Sequence, residues 1–77
     1  MDVFGKVKEI IINELNCAAD LVTPEAKLRD DLGADSIDAV QIVMEVEDAF
    51  GITVDDQEAE SMETVGDVVK YIENNIK

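Results

Sequence analysis

Ser36 is the side chain of this sequence that is best placed to carry a chemical group. It follows Gly33, Ala34 and Asp35 and lies at the predicted start of a helix. The backbone N–H groups and the dipole at a helix N-terminus stabilise anions, so a phosphate ester on this serine would be favoured there. Serine is also a very common N-cap residue, which gives this position an alternative, purely structural role.

The residues that would let Ser36 act as a nucleophile by itself are missing. The 77 residues include no histidine, which is the commonest general base and the commonest zinc ligand. No lysine or arginine is close to Ser36 in sequence, so we expect another protein to catalyse any modification of it. The single cysteine, Cys17, cannot form an internal disulfide and has no partner spaced for a metal site. We therefore expect no enzymatic activity and no metal site.

The charge of the chain is strongly negative and unevenly distributed. Nineteen Asp and Glu residues against six Lys and Arg residues give a net charge of −13. Thirteen of the acids and none of the bases lie between positions 30 and 69, while the remainder of the chain is neutral. Nucleic acids and anionic membranes repel such a protein, so we expect neither as a partner. The acidic segment favours docking to basic patches on other proteins, the alternative being a solvated surface that maintains solubility.

Length and composition predict one small domain, which we place at 1–77. The first residues lack the features of a secretion signal or a transit peptide, and no apolar run approaches membrane-spanning length. We expect a monomer, without stable membrane insertion, in the reducing environment of the cytoplasm.

Helical periodicity predicts an all-α fold. Apolar residues recur at helical spacing over 3–15, behind a cap at Asp2, and a second helix over 36–50 ends at Gly51. A short helix is predicted near 56–61, opened by a capping box at Asp55, and a last helix follows a cap at Thr64. These elements predict a small antiparallel four-helix bundle with three longer helices and one short helix.

The segment 16–35 lacks sustained periodicity and predicts a long ordered loop. A loop of this length in so small a domain usually has a function. We expect four apolar side chains to fix it against the core: Leu21, Val22, Leu28 and Leu32.

The second predicted helix has apolar residues on two opposite sides, taking about 100° per residue. The predicted core face contains Ala39, Ile42, Val43, Val46, Ala49 and Phe50. Ile37, Val40 and Met44 lie almost opposite this face and are bordered by acidic residues and Gln41. An apolar strip ringed by carboxylates is typical of a protein-docking surface, unless the long loop covers it and makes it part of the core.

The run 32–38, Leu-Gly-Ala-Asp-Ser-Ile-Asp, resembles the phosphopantetheine-attachment motif of acyl carrier proteins. The resemblance extends nearly end to end, through 28–32 and 47–52 to the last predicted helix at 64–72. Length, acidity and the lack of histidine resemble discrete, type II carriers. The resemblance implies an acyl-carrier-protein-like fold and a carrier of acyl groups for fatty-acid biosynthesis.

The resemblance also implies roles for individual residues. Ser36 would take a 4′-phosphopantetheine arm from coenzyme A, and the thiol of the arm would carry the acyl chain as a thioester. The second helix would meet a phosphopantetheinyl transferase (holo-acyl-carrier-protein synthase) and basic patches on ketosynthases, reductases, dehydratases and acyltransferases. The implied partner-binding residues are Asp35, Ile37, Asp38, Val40, Gln41, Met44, Glu47 and Asp48. The implied walls of an acyl pocket are Ala39, Val46, Ala59, Met62 and Val68.

Three positions depart from the usual pattern of that family. Ile37 stands where leucine is commoner, Gln41 where an acid is usual, and Met62 where isoleucine is usual. None of them affects the attachment chemistry, but they leave open a carrier for another acyl pathway, of the polyketide or lipid A type. The other alternative is an unmodified acidic adaptor that binds basic partners through the second helix.

Overall fold

Four helices form most of the fold in the computed structural model, which describes residues 2–76. They are α1 (Val3–Leu15), α2 (Ser36–Phe50), α3 (Asp56–Ser61) and α4 (Val65–Asn75), and a 3-10 turn occupies Ala19–Leu21. Within residues 2–76 there is no strand beyond an isolated bridge between Lys27 and Thr64. The predicted all-α fold, with three longer helices and one short helix, is confirmed.

α1 is the central helix of the core, since it packs against both α2 and α4. The carboxylate of Asp2 accepts a hydrogen bond from the N–H of Gly5 at 3.0 Å, which confirms the predicted cap of α1. Fully buried branched side chains from the three long helices meet at the centre: Val7, Ile11, Ile42, Val65 and Ile72. Each such side chain contributes about 1.5–3 kcal/mol by leaving water, so this aliphatic cluster fixes the packing of the helices.

The predicted core face of α2 is correct apart from one residue. Ile42 and Val46 are buried, and Ala39, Val43 and Phe50 are half-buried. Ala49 is exposed and lines a shallow groove between α1 and the end of α2, so its prediction as a core residue was wrong. A small side chain near the end of a helix projects too little to reach the neighbouring element.

The loop 16–35 is fixed mainly by two of its four predicted apolar anchors. Val22 and Leu28 are buried, and Leu32 is half-buried. Leu21 is 53% exposed, so its prediction as an anchor was wrong. Leu21 ends the 3-10 turn, which directs its side chain outward while the next residue, Val22, points inward.

Backbone hydrogen bonds join the same loop to the start of α4. Gly66 allows the closest approach, because a Cβ atom there would lie 2.9 Å from the carbonyl oxygen of Pro24. The three bonds run from Leu28 N–H to Glu63 C=O at 2.9 Å, from Val65 N–H to Ala26 C=O at 3.0 Å, and from Gly66 N–H to Pro24 C=O at 2.9 Å. The chain that leads to Ser36 is therefore fixed before α2 begins.

The last two helices begin in different ways. Thr64 and Asp67 form a reciprocal capping box at the start of α4, with the Thr64 hydroxyl accepting from Asp67 N–H at 3.1 Å. The pKa of Asp67 is lowered because its carboxylate accepts backbone N–H groups from Glu63 and Thr64. Asp55 precedes α3, but its side chain caps nothing, so the capping box predicted there was wrong.

Two carboxyl groups meet between α1 and α2. The pKa of Glu14 is raised, first because its side chain hydrogen-bonds to Glu45 and also because of partial desolvation. The negative charges of Glu45 and Asp38 raise it further. Because a carboxyl–carboxyl hydrogen bond needs one shared proton, this contact weakens when both groups are ionised.

Glu14→Gln is therefore expected to raise the melting temperature at pH 7. In the wild type, the stability that comes from the proton on Glu14 is fully present below the group's ordinary pKa of 4.5 and is lost as pH rises through the raised folded pKa. The amide keeps a hydrogen-bond donor at every pH, so the gain should be present at pH 7 and absent below about pH 4. Thermal unfolding followed by circular dichroism over this range measures it. Glu25→Gln, at an exposed position of the loop 16–35, is the control, and an equal gain in both variants at pH 7 would contradict the carboxyl-pair explanation.

Candidate functional site

Ser36 occupies the first helical position of α2, directly after the N-cap. Asp35 is the cap, and its carboxylate accepts a hydrogen bond from the N–H of Asp38 at 2.8 Å. The carboxylate of Asp38 in turn accepts from the N–H of Asp35 at 3.3 Å. The alternative role of Ser36 as N-cap is therefore wrong, and its exposed hydroxyl is not used to close the helix.

The residues before Ser36 direct it outward. Ala34 is buried, and its N–H donates to the carbonyl oxygen of Leu28 at 2.8 Å. Gly33 turns the chain with φ of 74°, a left-handed conformation that favours glycine. Since a Cβ atom at Gly33 would meet nothing within 4 Å, the space beside this turn is open to solvent. The hydroxyl of Ser36 thus lies on a rigid support with open access.

Arg29 lies against the hydroxyl of Ser36, which the sequence analysis missed. Its guanidinium Nη2 donates a hydrogen bond to Ser36 Oγ at 3.2 Å, although the residues are seven positions apart. No lysine or arginine is close to Ser36 along the sequence, but the fold brings Arg29 to it. The Gly33 turn brings the two residues together, since Gly33 N–H donates to the carbonyl oxygen of Arg29 at 3.1 Å. A turn glycine between the two was the signal available in the sequence.

These groups suit a phosphate ester on Ser36. The N–H groups of Ser36 and Ile37 belong to the first turn of α2, where the helix itself offers them no acceptor. Together with the guanidinium of Arg29 they place positive charge at the hydroxyl, which favours an anion attached there. The residues present therefore fit the attachment of a phosphate-linked arm.

An exposed apolar strip begins next to Ser36. It consists of Ile37, Val40 and Met44, which are 71%, 56% and 55% exposed. The three residues are spaced along one side of α2 and face away from Ile42 and Val46 in the core. The alternative that the loop 16–35 covers this apolar strip is wrong, since the strip faces solvent in the described residues.

The predicted partner-binding polar residues divide into two groups. Gln41 and Asp48 are exposed on α2. Asp35 and Asp38 cap the helix, and the half-buried Glu47 accepts a hydrogen bond from the N–H of Val54 at 2.8 Å. Glu47 therefore holds the link between α2 and α3 closed against the end of α2.

The predicted acyl-pocket residues lie in or near the core. Val46 and Val68 are buried, and Ala39, Ala59 and Met62 are half-buried. Two shallow grooves lie between α1 and α2, and none of these five residues lines either groove. The acyl pocket therefore stays a prediction.

Neither a metal cluster nor a membrane span was found in the described chain. Among residues 2–76, no three or more His, Cys, Asp and Glu side chains are grouped so that they could hold a metal ion. Over the same residues, no helix has the length and apolar character needed to cross a bilayer.

Comparisons with known proteins show the family and the fold of this chain. Residues 5–72 match the family model described as a phosphopantetheine attachment site. The structure is similar to that of the acyl carrier protein from Enterococcus faecalis, with 46% identity, a TM-score of 0.82, and coverage of 96% of this chain and 94% of that one. It is also similar to a Mycobacterium tuberculosis structure assigned as an acyl carrier protein, with 30% identity, a TM-score of 0.88, and coverage of 94% and 96%.

The hydrogen bond of Glu47 predicts different effects for two neighbouring acids. Glu47→Ala leaves the N–H of the buried Val54 without its acceptor and should lower the free energy of unfolding by about 1–2 kcal/mol. Asp48→Ala, at an exposed site on the same helix, should leave it unchanged or raise it slightly, because alanine favours helix. Urea unfolding measures both, and equal stabilities of the two variants would contradict the structural role of Glu47.

Proposed function

The chain belongs to the acyl carrier protein family, and we propose that Ser36 is the residue that bears its 4′-phosphopantetheine arm. Members of this family bear such an arm covalently and are carriers rather than enzymes. The observation that carries this proposal is the exposed hydroxyl at the first position of α2, left out of the capping box formed by Asp35 and Asp38. Ser36 also lies inside the region that matches the attachment-site family.

Attachment needs only the hydroxyl from this chain. The oxygen of Ser36 forms a new P–O bond to the pantetheine-bearing phosphorus of coenzyme A, and the bond from that phosphorus to the 3′,5′-ADP leaving group breaks. The proton of the hydroxyl goes to a base of the phosphopantetheinyl transferase, since the chain has no histidine to accept it. Asp35 and Asp38 keep the helix N-terminus closed without using the reacting oxygen.

The arm supplies a terminal thiol that holds an acyl group as a thioester. The part of this chain is to present that arm from a rigid helix end and to bring each acyl group to enzymes that handle acyl intermediates. We propose that the pathway is fatty-acid biosynthesis, and that 1–77 is one carrier domain that works as a monomer in the cytoplasm. A net charge of −13 supports the monomer, because copies of the chain repel one another.

The apolar strip and the exposed polar residues beside it support docking through α2. Ile37, Val40 and Met44 offer apolar area next to the arm, while Gln41 and Asp48 lie on the same helix. An apolar centre with an acidic border is complementary to an apolar patch ringed by Arg and Lys. We propose that the transferase and the ketosynthases, reductases, dehydratases and acyltransferases of the pathway dock there.

An aliphatic interior supports the transport of a hydrocarbon chain. Ala39, Ala59 and Met62 are half-buried beside the buried Val46 and Val68, and methionine adapts its shape readily. We propose that this cluster opens to cover the acyl chain. Mass spectrometry of acyl groups co-purified on the arm tests the pathway: saturated straight chains support fatty-acid synthesis, and polyketide chains alone contradict it.

Incubation with coenzyme A and a phosphopantetheinyl transferase is expected to add the mass of one arm to the wild-type chain. Ser36→Ala should abolish the gain, because it removes the oxygen that forms the phosphodiester. Ser61→Ala is the matched control: Ser61 is the chain's other serine, and its hydroxyl donates to the carbonyl oxygen of Glu58 at 2.8 Å within α3. Intact-protein mass spectrometry reports all three. A wild-type chain that folds but gains no mass would instead support the unmodified acidic adaptor.

Met44→Ala is expected to slow partner enzymes without changing the fold. Removing an exposed anchor from the apolar strip should lower kcat/KM of the transferase and of a ketosynthase by about fivefold or more, the effect of about 1 kcal/mol at an interface. The melting temperature should stay within about 2 °C of wild type, because surface changes have small effects on stability.

Leu21→Ala provides the control for the Met44 experiment. Leu21 is equally exposed, at 53%, but lies on the loop outside the apolar strip. Its kcat/KM values should match those of the wild type. A loss of similar size in both variants would show that exposed apolar area in general, and not the apolar strip, governs these enzymes.

A further inference from the structure

The guanidinium of Arg29 contacts the hydroxyl of Ser36, the proposed attachment residue. Nη2 of Arg29 donates a hydrogen bond to Ser36 Oγ at 3.2 Å. We propose that, once the arm is attached, Arg29 pairs with the phosphodiester on Ser36 and so positions the base of the arm. This proposal rests on the proposed attachment at Ser36.

The backbone around Arg29 is held on both sides. Leu28 is buried, and its carbonyl oxygen accepts from the N–H of the buried Ala34 at 2.8 Å. The carbonyl oxygen of Arg29 itself accepts from Gly33 N–H at 3.1 Å. The Cα atom of Arg29 is therefore fixed relative to the start of α2, and only its side chain must be ordered to reach the site. This fixed origin lowers the entropic cost of the contact.

Arg29 is the positively charged residue nearest to Ser36 along the sequence. No lysine or arginine lies between positions 30 and 69, so Lys27 is the nearest other base to Arg29. Three of the neighbouring carboxylates are engaged with backbone groups: Asp31 accepts from Lys27 N–H at 2.8 Å, and Asp35 and Asp38 each accept from the other's backbone N–H. The carboxylate of Asp30, next to Arg29, is exposed. The guanidinium bonds to a neutral hydroxyl in this arrangement, which is a weaker acceptor than an anion.

Attachment of the arm changes that acceptor. Attachment bonds a phosphorus atom to the Oγ atom that Arg29 already contacts, and the two unesterified oxygens of this phosphorus share one negative charge. A guanidinium presents several N–H donors in a planar fork that matches a phosphate group, so Arg29 can replace its bond to the neutral hydroxyl by a charge-assisted pair with these oxygens. Arg29 also offsets the repulsion between the new charge and the carboxylates of Asp35 and Asp38. No partner enzyme is needed for this contact.

A comparison of apo and arm-bearing forms tests the pairing without an activity assay. The forms are prepared for the wild type, Arg29→Gln and Lys27→Gln, and mass spectrometry first verifies full attachment. The measured quantity is the change in melting temperature on attachment, which cancels any effect of a substitution on the apo fold. Lys27→Gln is the matched control, since it removes the same charge from an exposed residue two positions away.

At about 0.01 M salt, the change in melting temperature on attachment of the arm should be more positive in the wild type than in Arg29→Gln. The expected difference is about 2–4 °C, as for an exposed ion pair. The difference should vanish at about 1 M salt, where the Debye length falls from about 30 Å to about 3 Å. The 31P resonance of the phosphodiester should move in Arg29→Gln and stay in place in Lys27→Gln. Arg29→Lys, which keeps the charge and loses the fork, should give an intermediate change.

If attachment of the arm changes the melting temperature equally in the wild type and in Arg29→Gln at low salt, the pairing is overturned. An equal loss in Lys27→Gln would also overturn it, because net charge would then explain the effect. If Arg29→Gln does not fold, the 31P shift of Arg29→Lys decides, and an unshifted resonance counts against the pairing. A wild-type chain without a mass gain would overturn the attachment at Ser36 and this proposal with it, and the mass spectrum reports that before any melting experiment.

Discussion

The presentation of Ser36 depends on the two hydrogen bonds that Asp35 and Asp38 make with each other's backbone. A helix N-terminus needs acceptors for its first N–H groups, and a serine at that point would ordinarily supply one. Here the cap lies one residue earlier, at Asp35, and the N–H of Asp38 is satisfied at 2.8 Å. The hydroxyl of Ser36 therefore stays available for reaction while the helix that carries it remains closed. If the cap at Asp35 were lost, the hydroxyl oxygen of Ser36 could either cap the helix or react, but not both.

The loop before α2 extends this constraint to the rest of the molecule. Backbone bonds from Pro24, Ala26 and Leu28 fix the loop to the start of α4, and Gly66 leaves the space for this close approach. Ala34 then buries its side chain next to the core and Gly33 turns the chain outward. The site is thus supported by an element that is distant in sequence. The proposed arm on Ser36 would gain directional precision from such a support, because only the arm itself would have to move.

The sequence was sufficient for the helices and for the apolar strip, because both depend on local periodicity. Val3–Leu15 and Ser36–Phe50 follow from apolar spacing and from the signals at Asp2 and Gly51. The contacts of Arg29 with Ser36 and of Glu47 with Val54 each join residues seven positions apart across a turn. Periodicity carries no information on such contacts, since they depend on where the turn directs the chain. The N-cap was missed for a related reason: Asp35 and Ser36 are both good caps, and only backbone geometry decides between them.

The acidic residues between positions 30 and 69 stabilise the fold as well as giving the surface its negative charge. Five of their carboxylates accept backbone N–H groups within the chain: Asp31, Asp35, Asp38, Glu47 and Asp67. Because these acids hold turns and helix ends, a basic partner that drew them away would weaken the structure it binds. Asp48 and the apolar strip, by contrast, are exposed on α2 and can meet a partner without breaking such bonds. The negative charge of the segment 30–69 is thus divided between carboxylates that hold turns and helix ends and carboxylates, such as Asp48, that stay exposed.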